Sequence, residues 1–227
     1  MHTPKAFALT NLKQQQQLVE EYPLATIIKS SDKSSPKQGN TVFDAQHVPL
    51  YWHSDSHQPH CLYGHVARNN PLVECGLKSD VLCIFQGPQA YISPRWYPTK
   101  QQHGKAVPTW NYVAVHIHGT LSIIEEAHKT IEVIEGLSNK MEAETEAKPQ
   151  QRWQLSDAPK EYIEKMLQGI VGIEITIESI EGQCKLSQNQ PAINIDGVVN
   201  GLGESTQPMA KLMSKQMAQA IANKKYQ

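Results

Sequence analysis

Alternation of apolar and polar positions marks the strands of this chain, and a three-to-four spacing marks its helices. Residues 170–180 alternate most clearly, with Ile173, Ile175 and Ile177 on one face, and the strand reads over 169–181. A second long strand reads over 112–121, where Val113, Val115 and Ile117 alternate with Ala114, His116 and His118. Shorter strands fall at 25–29, 41–52, 61–66, 81–85 and 90–92. Gln86-Gly87-Pro88 separates the last two by its turn chemistry, and Pro49 places the 41–52 strand at an edge or a bulge. Helices are predicted over 12–22, with Thr10 or Asn11 as its cap and Pro23 as its stop, and from Asp157-Ala158-Pro159 to 168. A helix over 127–146 carries Ala127, Ile131, Ile134, Leu137 and Met141 on one face. A last helix over 204–226 carries a stripe of Met209, Leu212, Met213, Met217 and Ile221, wide enough to pack against something. Residues 30–40, 53–60, 98–108 and 185–190 are polar and read as turns or loops, and a short helix follows Asn69-Asn70-Pro71 as far as residue 77.

Six or seven strands and about four helices, with hairpin-spaced strands dominating the first 125 residues, predict an α+β protein, mostly β with added helices. The expected architecture is one antiparallel barrel domain over 1–227, with a helical insertion at 124–168 and the C-terminal helix at 204–226. Composition narrows the function classes. A net charge of −1 provides no global basic field for nucleic acid, so DNA would require a local patch such as Lys211, Lys215, Lys224 and Lys225. No stretch approaches the length of a membrane span, and the scattered cysteines (Cys61, Cys75, Cys83, Cys184) read as free thiols of a cytoplasmic protein.

No phosphate-binding glycine motif follows a strand, and no GxSxG is present, so neither a P-loop, a Rossmann turn nor a hydrolase elbow is supported. His53, His57, His60, Cys61 and His65 lie within thirteen residues, but their spacing matches no compact ligand pattern, and they read as a polar turn with no metal assigned. A planar phosphorylated ligand fits better. Arg68 beside Asn69 and Asn70, Ser93 beside Arg95, and Lys185 with Ser187 sit at strand ends, while Trp96, Tyr97 and Trp110 supply flat surfaces. The segment 81–119 concentrates this chemistry, since Arg95, Trp96, Tyr97, Lys100 and Lys105 lie on one connector. No residue stands out as a catalytic acid, base or nucleophile.

Five motifs in order, HVPL (47–50), GHVARNNP (64–71), FQGPQAYISPRWY (85–97), VPTWNYVAVHIHG (107–119) and GIVGIEITIESIEGQCKLSQNQ (169–190), resemble the PaiB family, and the likeness runs from Thr3 to Leu202. The resemblance implies an FMN-binding split β-barrel, similar to the pyridoxamine-phosphate oxidases and flavin reductases, and a homodimer with flavin at the subunit interface. PaiB-like proteins are described as negative transcriptional regulators of protease production and sporulation, so possible DNA association and a regulator without turnover form the alternative to a redox or flavin-dependent oxidoreductase role. Haem or a metal in place of flavin is a further alternative. By resemblance, the 64–70 segment with His65, Arg68 and Asn70 approaches the FMN phosphate. Thr109, Trp110 and Asn111 line the flavin ring, and Lys185, Ser187, Gln188 and Asn189 form the KLSQN signature near the cofactor. The chain departs from the family pattern at Gln190, where a basic residue is common.

Overall fold

The computed structural model describes residues 1–30, 43–54, 60–73, 78–145 and 147–222, with the side chains of Gln102 and His103 left aside. Eight strands and six α-helices are formed among them. In order they are β1 (Ala8–Leu9), α1 (Leu12–Glu21), β2 (Leu24–Ser30), β3 (Phe43–Pro49), β4 (Tyr51–His53), β5 (Cys61–Ala67), β6 (Lys78–Ile92), α2 (Lys100–His103), β7 (Thr109–Ile124), α3 (Ala127–Ala143), α4 (Lys160–Leu167), β8 (Ile170–Lys185), α5 (Ala192–Gly203) and α6 (Pro208–Ala222). One sheet holds all eight strands in the order β3-β2-β6-β7-β8-β5-β4, with β1 added to β8. The register is antiparallel in β2–β3 (Ile27 opposite Gln46), β2–β6 (Ile27 opposite Cys83) and β5–β8 (Leu62 opposite Ile175).

The chain divides into two compact units. Unit 1 comprises Met1–Leu18, Gln86–Val115 and Glu181–Gln227, and unit 2 comprises Val19–Phe85 and His116–Ile180. In unit 2 the core is built from Ile27, Leu50, Leu62, Phe85, Ile117, Leu121, Ile173 and Ile175, all essentially inaccessible to solvent. Ile117, Ile173 and Ile175 among them are inward positions that alternation singled out, because successive strand side chains point to opposite faces. In unit 1 the core is Ile92, Val113, Cys184, Val198, Leu202, Met213 and Met217.

Several elements differ from the sequence expectation, each for a physical reason. The two short strands at 81–85 and 90–92 are one fifteen-residue strand, β6, that runs straight through Gly87-Pro88. Pairing with β2 extends only to Ile84, so Pro88 lies past that partner, where its missing N–H costs no ladder bond on that side. The 41–52 strand divides at Leu50, because β3 pairs with β2 and β4 pairs with β5, at opposite ends of the strand order. The loop at 98–108 contains the helical turn α2, closed by Gly104 in the left-handed region at φ 67°. In α3 the buried positions are Thr130, Val133 and Leu137, whereas Ala127 is exposed, so the buried face is rotated from the expected one.

The expected last helix is α6, which starts at Pro208, and a further helix that the sequence reading did not include precedes it. Residues 192–203 form α5, which three glycines hid from any propensity reading. Gly197 and Gly201, one turn apart, let the Pro94–Trp96 turn lie against that helix, because a Cβ at either position would collide with Trp96. On α6, Met213 and Met217 are buried, but Met209, Leu212 and Ile221 are exposed. The expected polar hairpin at 30–40, most of the 53–60 turn and the end of the helix expected after Pro71 lie outside the described residues.

Candidate functional site

Within unit 1, the start of β7, the end of β8, the turn that follows it and the start of α5 enclose a cavity of about 480 Å³. That volume lies within the range of small-molecule and cofactor sites. Its wall includes Phe7, Tyr97, Thr109, Asn111, Lys185 and Ser187. β1 carries the chain beside β8, with Ala8 opposite Gln183, and so delivers the neighbouring Phe7.

Lys185, the last residue of β8, donates from Nζ to Thr109 Oγ1 at 2.7 Å, and the ammonium lies 5.9 Å from the centre of the Phe7 ring. Two residues on, Ser187 adopts φ 61°, the only non-glycine residue with positive φ among the described residues. A left-handed serine costs energy and persists where its surroundings hold it. Here the hold is a fully buried pair. Asn111 Nδ2 donates to Ser187 Oγ at 2.9 Å, and Ser187 Oγ stands 3.2 Å from Asn111 Oδ1. Gln188 closes the turn from outside the cavity: its Oε1 accepts from Leu186 N at 2.6 Å and its Nε2 donates to Cys184 O at 2.5 Å.

The far wall is fixed by Asn194 on α5, itself buried, whose Oδ1 accepts from the Thr99 backbone N at 3.3 Å and whose Nδ2 donates to Gln190 Oε1 at 3.3 Å. Burial pushes the Tyr97 hydroxyl above its ordinary pKa of 10.0, offset in part by its hydrogen bond with Ser187, so the phenol is a neutral polar group at this wall.

Of the residues expected from sequence, Thr109, Asn111, Lys185, Ser187 and Asn189 line this one cavity. The other six are not among its lining residues. Gln188 braces the turn, and Trp110 is half exposed, with Nε1 donating to Gln89 Oε1 at 3.1 Å and its ring 6.2 Å from that of Tyr91. Ser93 caps the 94–96 turn by accepting from Arg95 N at 3.4 Å. His65, Arg68 and Asn70 belong to unit 2. There Arg68 donates to the carbonyls of Gln168 (3.2 Å) and Ile170 (3.3 Å), and Asn70 Oδ1 accepts from Leu72 N at 2.9 Å. Sequence reasoning missed Phe7, Thr99 and Asn194 at the cavity. Phe7 arrives through a two-residue strand too short to read, and Asn194 sits on the unread helix. Pro191 at the cap of that helix was the available signal.

The lining suits a phosphorylated aromatic ligand on its own chemistry. Lys185 and Lys105 bring positive charge, Thr109, Ser187 and Asn189 bring neutral hydrogen-bonding groups, and Phe7 and Tyr97 bring ring surface. Among the described residues no group of three or more His, Cys, Asp or Glu side chains is arranged to hold a metal ion, and no helix is long and apolar enough to cross a membrane.

Comparison with known proteins gives a consistent picture. The family model described as "Putative FMN-binding domain" matches residues 1–179. The chain is 34% identical over 222 residues to the protease synthase and sporulation protein PAI 2 of Bacillus subtilis (strain 168), covering 96% of each chain. Among solved structures, the flavocytochrome Anf3 from Azotobacter vinelandii superposes with TM-score 0.53 at 10% identity, covering 79% of this chain and 69% of that one. The FAD and heme binding protein from Mycobacterium smegmatis gives TM-score 0.52 at 12% identity, covering 78% and 73%. At such identities the structural likeness speaks to fold alone.

Proposed function

This chain belongs to the FMN-binding domain family, with a PaiB-type relative matched over nearly its full length, and on that premise we propose that its unit 1 cavity receives the phosphate-bearing part of FMN. The protein is a flavin-binding module on a split β-barrel with added helices. Bound flavin supplies the redox chemistry. The chain supplies binding and orientation: Lys185, with Lys105, faces the phosphate charge, Thr109 adds a hydroxyl donor, and Phe7 and Tyr97 flank the ligand. The observation that carries this reading is the Lys185–Thr109 contact of 2.7 Å at the cavity wall, an ammonium fixed in place beside a buried Asn111–Ser187 pair. The visible absorption spectrum with and without added FMN tests it. Flavin bands with quenched flavin fluorescence are expected. A Soret band would replace flavin by haem, and a colourless protein indifferent to FMN would overturn the reading.

A homodimer and a cytoplasmic location belong to the same proposal. Exposed Met209, Leu212 and Ile221 on α6 support association, and light scattering tests it. Cys61, Cys83 and Cys184 are buried thiols, which suits a reducing compartment. The second reading, a DNA-associated negative regulator, draws support from Lys211 and Lys215, which are exposed and one turn apart on α6. Retardation of promoter fragments that vanishes as salt rises is its expected signature, and no retardation at low salt would count against it.

A further inference from the structure

Unit 2 holds a second, larger cavity, of about 840 Å³, walled by β4, β5, the end of β7, β8 and α3. Its chemistry is the reverse of the first. Three rings gather in it: Tyr51 and Tyr63 have centroids 5.8 Å apart, and His53 meets Tyr63 edge-on at 5.6 Å. Three carboxylates line it, Glu126, Glu132 and Glu174, with two ammonium groups, Lys129 and Lys140. Both ammonium groups are already matched. Lys129 pairs with Glu126 at 3.0 Å, and Lys140 pairs with Glu20 at 3.6 Å while donating to Trp52 O at 3.0 Å. Among the described residues neither Glu132 nor Glu174 has an ammonium partner. Glu174 instead accepts from the Tyr63 hydroxyl at 2.9 Å.

Two features show that this arrangement is built. The first is Gly136, in the middle of α3, where glycine costs roughly 1 kcal/mol relative to alanine. A Cβ there would come within 2.5 Å of the Tyr51 hydroxyl, so the missing side chain is what seats the phenol against the helix. The second is that a cation already uses the Tyr51 ring, since Lys140 Nζ lies 5.5 Å from its centroid. The negative field at the rings also registers in their acidity. Burial and then the Glu132 charge raise the Tyr51 pKa, and burial and then the hydrogen bond and charge of Glu174 raise that of Tyr63.

We propose that this cleft is a binding site for an organic ammonium ion, held over the Tyr51 and Tyr63 rings and balanced by Glu132 and Glu174. Aromatic faces attract quaternary and alkyl ammonium groups through the ring quadrupole, and two carboxylates without cationic partners select positive charge over an isosteric neutral group. The site shares no residue with the unit 1 cavity.

The test uses choline and its neutral carbon isostere, 3,3-dimethylbutan-1-ol, titrated calorimetrically into the full-length protein at pH 8, both without FMN and saturated with it. Choline is expected to bind about ten-fold more tightly than the isostere, and equally with or without flavin. Glu132→Gln and Tyr51→Leu each weaken choline, whereas Glu161→Gln, an exposed acid on α4, leaves it unchanged. Equal binding of choline and isostere, no binding of either, or equal losses in Glu132→Gln and Glu161→Gln would each overturn the proposal. Should Tyr51→Leu fail to fold, Glu132→Gln, at an exposed position, decides the question.

Discussion

Lys185 Nζ and Thr109 Oγ1 lie 2.7 Å apart, joining the last residue of β8 to the first of β7 at the wall of the unit 1 cavity. That contact fixes a cation without neutralising it, since a hydroxyl takes up one of its three donors and no charge. A charge-assisted bond to a phosphate contributes about 1.5–3 kcal/mol. Lys185→Ala is therefore expected to weaken FMN roughly ten- to hundred-fold in a fluorescence titration. Thr109→Val should have a smaller effect, by loosening the ammonium. Arg68→Ala provides the contrast: its guanidinium is engaged with the Gln168 and Ile170 carbonyls, so FMN affinity should hold while thermal stability falls slightly.

The buried Asn111–Ser187 pair predicts a stability effect that the flavin titration would not show alone. Asn111→Leu removes one hydrogen-bond partner of a buried hydroxyl, at a cost of about 1–3 kcal/mol. For a chain of this size the thermal midpoint should fall by roughly 2–4 °C per kcal/mol. Ser187→Gly and Ser187→Ala separate two contributions. Both lose the hydrogen bonds, but only glycine relieves the positive φ, so Ser187→Gly should be the more stable variant by about 1 kcal/mol in denaturant unfolding.

How far the sequence reveals this structure follows from which signals are local. Alternation at Val113, Val115 and Ile117, and at Ile173 and Ile175, predicts strands whose inward faces are buried as expected, because the side-chain period of a strand is set by the backbone itself. Ile177, expected on the same face, is only partly buried. The KLSQN turn was legible as a motif, and Lys185, Ser187 and Asn189 do meet Thr109 and Asn111 at one cavity. Gly87-Pro88 misled because turn residues are tolerated in a strand where a neighbouring strand has ended, and nothing local to β6 reports where β2 stops. Helix α5 was invisible for a related reason: Gly197 and Gly201 are explained only by Trp96, a hundred residues earlier. Asn194 went unseen with it.

His65 predicts a pH dependence. The ring is half-buried on β5, its Nδ1 has no hydrogen-bond partner, and burial lowers its pKa below the ordinary 6.5. A base with a depressed folded pKa binds fewer protons in the native state than in the unfolded one. Its neutral form contributes stability that is complete above pH 6.5 and is lost as the pH falls from there through the folded value. Thermal midpoints of the wild type should drop between pH 7.5 and 5.5 more steeply than those of His65→Gln. Parallel pH profiles for the two proteins would remove His65 as the source.

Gly136→Ala sets two established effects against each other. On helix propensity alone the substitution should stabilise α3 by about 1 kcal/mol. The new methyl would stand 2.5 Å from Tyr51 Oη and 2.8 Å from Tyr51 Cζ, closer than van der Waals contact allows. Tyr51 cannot withdraw easily, since its ring has the Tyr63 ring at 5.8 Å and the Lys140 ammonium at 5.5 Å as neighbours. Overpacking of this kind costs about 1–3 kcal/mol, which outweighs the propensity gain. The expected outcome is net destabilisation, read as a lower urea midpoint with an unchanged slope. Gly136→Ala combined with Tyr51→Ala should recover the helix-propensity gain relative to Tyr51→Ala, because the collision partner is gone. A stabilised Gly136→Ala single variant would show that Tyr51 repacks freely, and that the glycine is not what seats its ring.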